Sequence, residues 1–359
     1  MAVTLSTFLS RPALRFAVAS LSPALMLALG AILGGGWALF ALLWITLFLS
    51  VADRVARHLG LYQPTGDSGQ DLERLALLVG IVHFPMLALA LFALSGGTGL
   101  GIFGWIFTFL GFGLWFGQVS NATAHELIHR KARLPFRLGK WIYISLLYGH
   151  HTSAHRFVHH RFAATEDDPN SAPLGESFPA FLVRAWPGEF LAGYEMENNR
   201  KSVRARRGLR LHPYTVYLAG GAGFVLASGL LFGIGGFLSY LILCAHTHIQ
   251  LLLSDYVQHY GLSRRKTGAG EYEPFGPEHS WDAPDFVSGL MMLNAPRHAD
   301  HHLHPSKGFS ELVLSPEGKA PLLPASLPVM ATVALVPPLW RRMMDRRVIA
   351  LRKMQGSTT

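Results

Sequence analysis

Three stretches of this chain carry no Asp, Glu, Lys or Arg: Phe16 to Ala52, Leu75 to Ala124 and Leu211 to Ser254. A helix needs roughly 20 apolar residues to cross a bilayer, so each stretch is long enough for two crossings. Each also breaks at glycine near its middle, at Gly34-Gly35-Gly36, between Ser95 and Gly101, and between Gly233 and Gly236. Glycine between apolar runs reads as a tight turn. The pattern predicts an all-α fold, a bundle of six transmembrane spans at approximately 16–34, 37–52, 75–94, 101–122, 214–232 and 236–256, in a single domain over residues 1–359. Only 15% of residues are charged, against about 25% in soluble domains. The first stretch runs at once into a second span and has no convincing cleavage site, which argues against a signal peptide. Pro321 to Trp340 is apolar but holds five prolines. Interior proline breaks helices, so this segment reads as interfacial or packed rather than as a seventh span.

The net charge of +9 would raise nucleic acid as a partner for a soluble protein. Here the basic residues have a simpler reading, because they accumulate in cytoplasmic loops of membrane proteins. Arg130, Lys131, Arg133, Arg137 and Lys140 follow the fourth span, and Arg200, Lys201, Arg204, Arg206, Arg207 and Arg210 precede the fifth. With both loops inside, six spans place both termini inside too, in a multi-pass protein of the cytoplasmic (inner) membrane. Cys244 is the only cysteine. It excludes an internal disulfide and a cysteine-ligated iron–sulfur cluster within this chain.

Sixteen of the 18 histidines lie between His125 and His304. Four groups stand out: His125-Glu126-Leu127-Ile128-His129; His155-Arg156-Phe157-Val158-His159-His160; His259; and His298-Ala299-Asp300-His301-His302. Residues three or four apart share a helix face. Each cluster is thus expected to aim two or three imidazoles at one point, on a cytoplasmic cap beside the ends of the fourth and sixth spans. Nine imidazoles exceed what one tetrahedral zinc uses and suit two metals with open positions. Imidazole suits iron, copper and zinc alike, so the ligand type does not choose among them. HExxH alone also fits a zinc protease with Glu126 as general base, but that leaves the other clusters idle. His58, His83 and His212 read as unrelated to the metal, and His246 and His248 as packing or hydrogen-bonding residues of the sixth span. His150, His151, His279 and His304 are candidates for orienting ligands.

These motifs resemble those of the membrane alkane hydroxylase and xylene monooxygenase family, within the fatty acid desaturase and hydroxylase superfamily. HELIHR at 125–130 is similar to the first histidine box. HRFVHH at 155–160, followed by Thr165-Glu166-Asp167-Asp168-Pro169 and Gly175-Glu176-Ser177, is similar to the second. QHYGL at 258–262, HSW at 279–281, RHADHHLHP at 297–305 and PPLW at 337–340 complete the likeness. Ala154 and Gln258 stand where alkane hydroxylases usually carry Glu, as in the xylene branch, whereas RHADHH is closer to the alkane branch. The resemblance implies two non-haem iron ions held by His125, His129, His155, His159, His160, His259, His298, His301 and His302. It implies hydroxylation of a terminal or methyl C–H bond by O2, with desaturation and alkyl-aromatic hydroxylation as alternatives. A rubredoxin or ferredoxin with its NAD(P)H reductase would supply electrons; no internal flavin, haem or cluster is expected. A bulky residue on the second span can limit substrate depth in this family, which points to Trp44, with Phe48 four residues on, as pocket residues.

Overall fold

A computed structural model describes residues 11–61, 69–200, 211–268, 270–316 and 319–356. The basic run at 201–210, with Arg204, Arg206 and Arg207, lies outside them. Among the described residues five helices are long and apolar enough to cross a membrane: α1 (Pro12–Leu33), α2 (Gly35–His58), α3 (Gln70–Gly97), α4 (Ile102–Ile128) and α8 (Pro213–His259). The glycines break the chain where expected. Gly34 takes φ 65° between α1 and α2, and Gly96 in the last turn of α3 and Gly99 between α3 and α4 take positive φ.

The expected fifth and sixth spans form one 47-residue helix with a non-helical residue, Gly233 (φ 65°, ψ −166°), inside it. A Cβ at Gly229 would meet the Phe237 Cβ at 3.9 Å. Eight residues of straight helix rise about 12 Å, so α8 folds back at Gly233 into arms 213–232 and 234–259. Only glycine takes this backbone without strain.

Between α4 and α8 lie α5 (Arg133–Ser145), α6 (residues 151–162) and α7 (Phe178–Asn199). After α8 come α9 (Phe286–Met291), α10 (His298–Leu303), α11 (Leu327–Ala334) and α12 (Pro337–Gly356). The proline-rich segment is packed, as its prolines predict. α11 has eight residues, too few to span, and buries Leu327, Met330 and Ala334.

One segment expected outside the bundle runs into it. A Cβ on Gly139 of α5 would meet the Ala124 carbonyl and the Leu127 side chain of α4, so the two helices lie in close contact. At the far end of α5, Ser145 Oγ is 2.7 Å from His83 Nε2, and Tyr240 Oη of α8 donates to the Ser145 carbonyl (2.8 Å). His83 is thirteen residues, about 20 Å, inside α3, and its other nitrogen meets Ser120 Oγ of α4 at 2.5 Å. The turn after α5 is thus clamped between these long helices, and both His83 ring nitrogens are taken up by serine hydroxyls of that clamp. On the other side, the Asp53 carboxylate of α2 accepts from the Val287 (2.6 Å) and Ser288 (3.0 Å) N–H groups at the start of α9, and Arg57 pairs with Asp285. These contacts fasten the segment leading to α10 onto the ends of the spans.

Candidate metal centre

Four helices deliver the nine expected histidines to one place. α4 ends in His125 and His129, α6 carries His155, His159 and His160, α8 ends at His259, and α10 carries His298, His301 and His302. They form two clusters rather than one group per sequence motif. His125, His129, His155, His160 and His301 make a set of five; His159, His259, His298 and His302 make a set of four. In each set the converging ligand atoms all lie within 4.8 Å of one another. The Nε2 atoms of His125 and His155 are 2.7 Å apart, those of His155 and His160 3.0 Å, and those of His160 and His301 3.1 Å. In the second set His259 and His298 are 3.2 Å apart, and His298 and His302 3.0 Å.

Each motif does aim two imidazoles at one point, His125 with His129, His155 with His160 and His298 with His302, but the expected i, i+4 pairing of His155 with His159 is corrected here, and the backbone supplies the reason. Residues 155–159 form a π turn. An i→i+5 repeat brings His155 and His160 to the same side and turns His159 away toward the second set. On α10 ordinary i, i+4 spacing keeps His298 and His302 together, while His301 points to the first set.

The nitrogen chemistry fits metal ions. A neutral imidazole has one N–H and one lone pair, so five Nε2 atoms converging on one point cannot all find partners in each other. His129 Nε2 and His159 Nε2 are buried without any hydrogen-bond partner, a costly state that a bound cation relieves. Burial, reinforced by neighbouring imidazoles, holds His155, His160, His298, His301 and His302 well below the ordinary histidine range. They are therefore in the neutral, ligating form. His159 goes the other way. Burial lowers it, but the Asp168 carboxylate, helped by Asp255 and Glu189, outweighs burial and pushes it up to about 9.

The outer contacts fix ring orientation. His159 Nδ1 is 2.9 Å from Asp168 Oδ2, which also accepts from Ser171 Oγ at 2.7 Å. His259 Nδ1 donates to the His279 carbonyl (3.1 Å). In both, Nδ1 is engaged by an acceptor and Nε2 is left for the metal, the usual way a ligand histidine is oriented. Asp300, between the ligands of α10, accepts from Lys307 (2.9 Å) and the Val313 N–H (3.0 Å) and meets His304 Nδ1 at 2.7 Å. The His279 backbone carbonyl thus meets a ligand ring, whereas His304 reaches Asp300 and no ligand ring. Glu126 is tied to Arg130, so the HExxH motif does not present a free general base.

Sequence reasoning missed a buried polar network beside the first set. Glu189 of α7 accepts from Tyr148 Oη (2.5 Å) and Asn170 Nδ2 (3.3 Å), and meets His151 Nδ1 at 2.5 Å. Asn170 Nδ2 also reaches Asp255 (2.7 Å). Burial would raise the Glu189 carboxyl, but His151, His150 and Tyr148 hold it down at about 2. A cavity of ≈ 30 Å³ touches both histidine sets, through His125, His155 and His298, and is closed by Ala122, Leu251, Met292 and Ala295 beside His151, Asp255 and Gln258. That is room for roughly one or two water-sized molecules. Trp44 and Phe48 do not line it. The Trp44 indole donates to Ser22 Oγ (3.1 Å), and Phe48 is exposed on the outer face of α2.

Residues 100–330 match the fatty acid desaturase family. The alkane 1-monooxygenase of Acinetobacter baylyi is 36% identical over 234 residues, 64% of this chain and 56% of that protein. Alkane 1-monooxygenase 2 of Alcanivorax borkumensis is 30% identical over 278 residues, 77% of this chain and 72% of that protein. The chain belongs to the alkane hydroxylase family. The hydroxylase component of the Pseudomonas putida xylene/toluene monooxygenase is also similar, at 26% over 229 residues. This chain therefore spans just over half the length of the Acinetobacter relative. Histidine spacing and the membrane helices fit this family, in which the sequence motifs had already placed the chain.

Proposed function

We propose that this protein is a membrane di-iron monooxygenase that hydroxylates a terminal or methyl C–H bond of an apolar hydrocarbon, with an n-alkane going to the 1-alkanol. One observation carries the reading: two adjoining all-histidine clusters, of five and four imidazoles, meet at a small cavity at the ends of membrane-length helices. Each cluster would hold one iron. When bound, iron supplies the redox chemistry that activates O2. The reaction consumes the hydrocarbon, O2, two electrons and two protons, and yields the alcohol and water. The chain's own part is positioning and exclusion. Asp168 and the His279 carbonyl set the ligand rings, and Ala122, Leu251, Met292 and Ala295 give the reacting carbon an apolar seat.

In this reading the helices form six spans, with α8 counted as two and α5 entering among them, and α6, α7 and α9–α12 form the cytoplasmic cap of an inner-membrane protein. Electrons arrive from a rubredoxin or ferredoxin and its NAD(P)H reductase. Neither Trp44 nor Phe48 lines the small cavity, so a limit on substrate depth set by them from the second span would act farther along the substrate tail. Methyl hydroxylation of alkyl-aromatics is the second reading, favoured by Ala154 and Gln258. Whole cells expressing the chain should be given linear alkanes, fatty acids and alkyl-aromatics, and the products identified. Primary alcohols are expected. Unsaturated products without alcohols would reassign the chain to desaturation, and an active preparation holding stoichiometric zinc and no iron would overturn the di-iron reading.

A further inference from the structure

A second cavity, of ≈ 760 Å³, lies between α7, the first arm of α8 and the turn after α5. Its walls include Val183, Trp186, Leu191 and Leu218, which remain 76%, 45%, 62% and 59% exposed. Two residues of different character also line it, His150 and His248. Both are more than nine-tenths buried, and His150 Nε2 and His248 Nδ1 have no hydrogen-bond partner. The His248 Nε2 is 2.7 Å from the Leu146 carbonyl, which can only accept. His248 Nε2 therefore carries the hydrogen, and Nδ1 is a lone pair seeking a donor. The Tyr148 ring packs against both imidazoles, with centroids 4.5 Å from each. The wall is thin: His150 lines this groove, while its neighbour His151 lines the cavity between the histidine clusters.

We propose that this groove is a binding site for a single-chain primary alcohol, its tail along Val183, Trp186, Leu191 and Leu218 and its hydroxyl donating to the His248 lone pair, with His150 beside it. An alkane has nothing to offer these nitrogens. An aldehyde or a carboxylate has no hydrogen to donate to Nδ1. An alcohol supplies both the apolar tail and the missing donor, and an orphaned buried acceptor gains most from such a partner. That the alcohol is the enzyme's own product, held on its way to the bilayer, rests on the hydroxylation reading; the binding of an alcohol does not.

The test uses the purified full chain in lipid nanodiscs without electron donor, so that no turnover occurs. A decanol bearing a photoreactive diazirine on its tail is crosslinked and the labelled peptides are mapped by mass spectrometry. Labels are expected within 147–150 and 183–191, displaced by decanol and not by decane or decanal. His248→Leu should weaken displacement by decanol about fivefold, the worth of one neutral hydrogen bond. Val183→Trp, on the exposed rim, should block labelling even if the His248 variant fails to fold. Equal displacement by decane and decanol would overturn the site and leave a plain apolar groove. Labelling by a diazirine phospholipid that decanol cannot displace would overturn it in favour of a structural lipid. Neither result bears on whether cells make alcohols from alkanes, so the two readings fail separately.

Discussion

Replacing Asp168 by alanine should loosen one iron and leave the other. The Asp168 carboxylate is buried, 2.9 Å from His159 Nδ1, and is braced by Ser171 Oγ (2.7 Å) and the Asn170 N–H (3.1 Å). Among the described residues it is the only carboxylate in hydrogen-bond contact with a ligand ring of the four-histidine set. Losing it frees the His159 ring to rotate and lowers the basicity of its Nε2, and changes of this kind typically cost 10–100-fold in metal affinity, or about 1.4–2.8 kcal/mol. With only four imidazoles, the second set has no spare ligand, whereas the five-histidine set contains neither His159 nor a contact to Asp168. Chelator competition on anaerobic protein should then show one of two irons leaving at 10–100-fold lower chelator, with the other unchanged. Asp168→Asn keeps the volume and one acceptor oxygen and should fall between the two. His129→Ala, in the other set, should weaken the other iron instead. If Asp168→Ala releases both irons together, or neither at altered chelator, the partition into five and four ligands is wrong.

Three further outcomes are expected. In metal-free protein, five imidazoles stay neutral in the fold while the unfolded chain protonates near pH 6.5. Their depressed values make stability fall as pH drops below about 6.5, opposed there by Asp282, which burial raises to about 7, whereas the raised His159 stabilises fully below 6.5 and loses its contribution only as pH climbs toward 9; a thermal-melting series in detergent checks the sign. Charge reversal at Arg204, Arg206 and Arg207 should raise the carrier concentration for half-maximal rate, with an effect that fades as the Debye length shortens from about 10 Å at 0.1 M to about 3 Å at 1 M salt; unchanged carrier dependence would leave those residues a topological signal. Trp44→Ala should shift preference toward longer or bulkier substrates at normal iron content, and an unchanged product profile across a homologous alkane series would remove Trp44 from the pocket.

Much of the framework was readable because it is written in local pattern. The charge-free stretches and their glycines located the long apolar helices and the breaks between them, since apolar length and positive-φ residues act within a few positions of themselves. The fold-back at Gly233 lies in the expected break, although the chain on either side stays helical. What could not be read was long-range. Glu189 meets Tyr148 and His151 from about forty residues away, and nothing local marks it among the acidic residues between α4 and α8. α5 opens on Arg133, Arg137 and Lys140 and has only 13 residues, so hydropathy reads it as outside the membrane. It enters the bundle because His83 and Tyr240, polar groups within spans, need the partners its end supplies.

The histidine motif at 155–160 shows the limit most sharply. All nine ligand candidates were identifiable by spacing and resemblance, yet the spacing rule assigns His155 and His159 to one point. That rule assumes 3.6 residues per turn. The π turn over 155–159 breaks the assumption for one turn only, and the consequence is functional: consecutive residues His159 and His160 serve different clusters, so one short helix bridges both. A regular α-helix through the same residues would pair His155 with His159 at one set and strand His160, leaving only three imidazoles at the other. An extra residue in one turn of α6 is therefore what makes the five-and-four arrangement possible. No hydrophobic or propensity signal in His-Arg-Phe-Val-His distinguishes that turn from an ordinary one; the packing of α6 among the other ligand-bearing helices selects it.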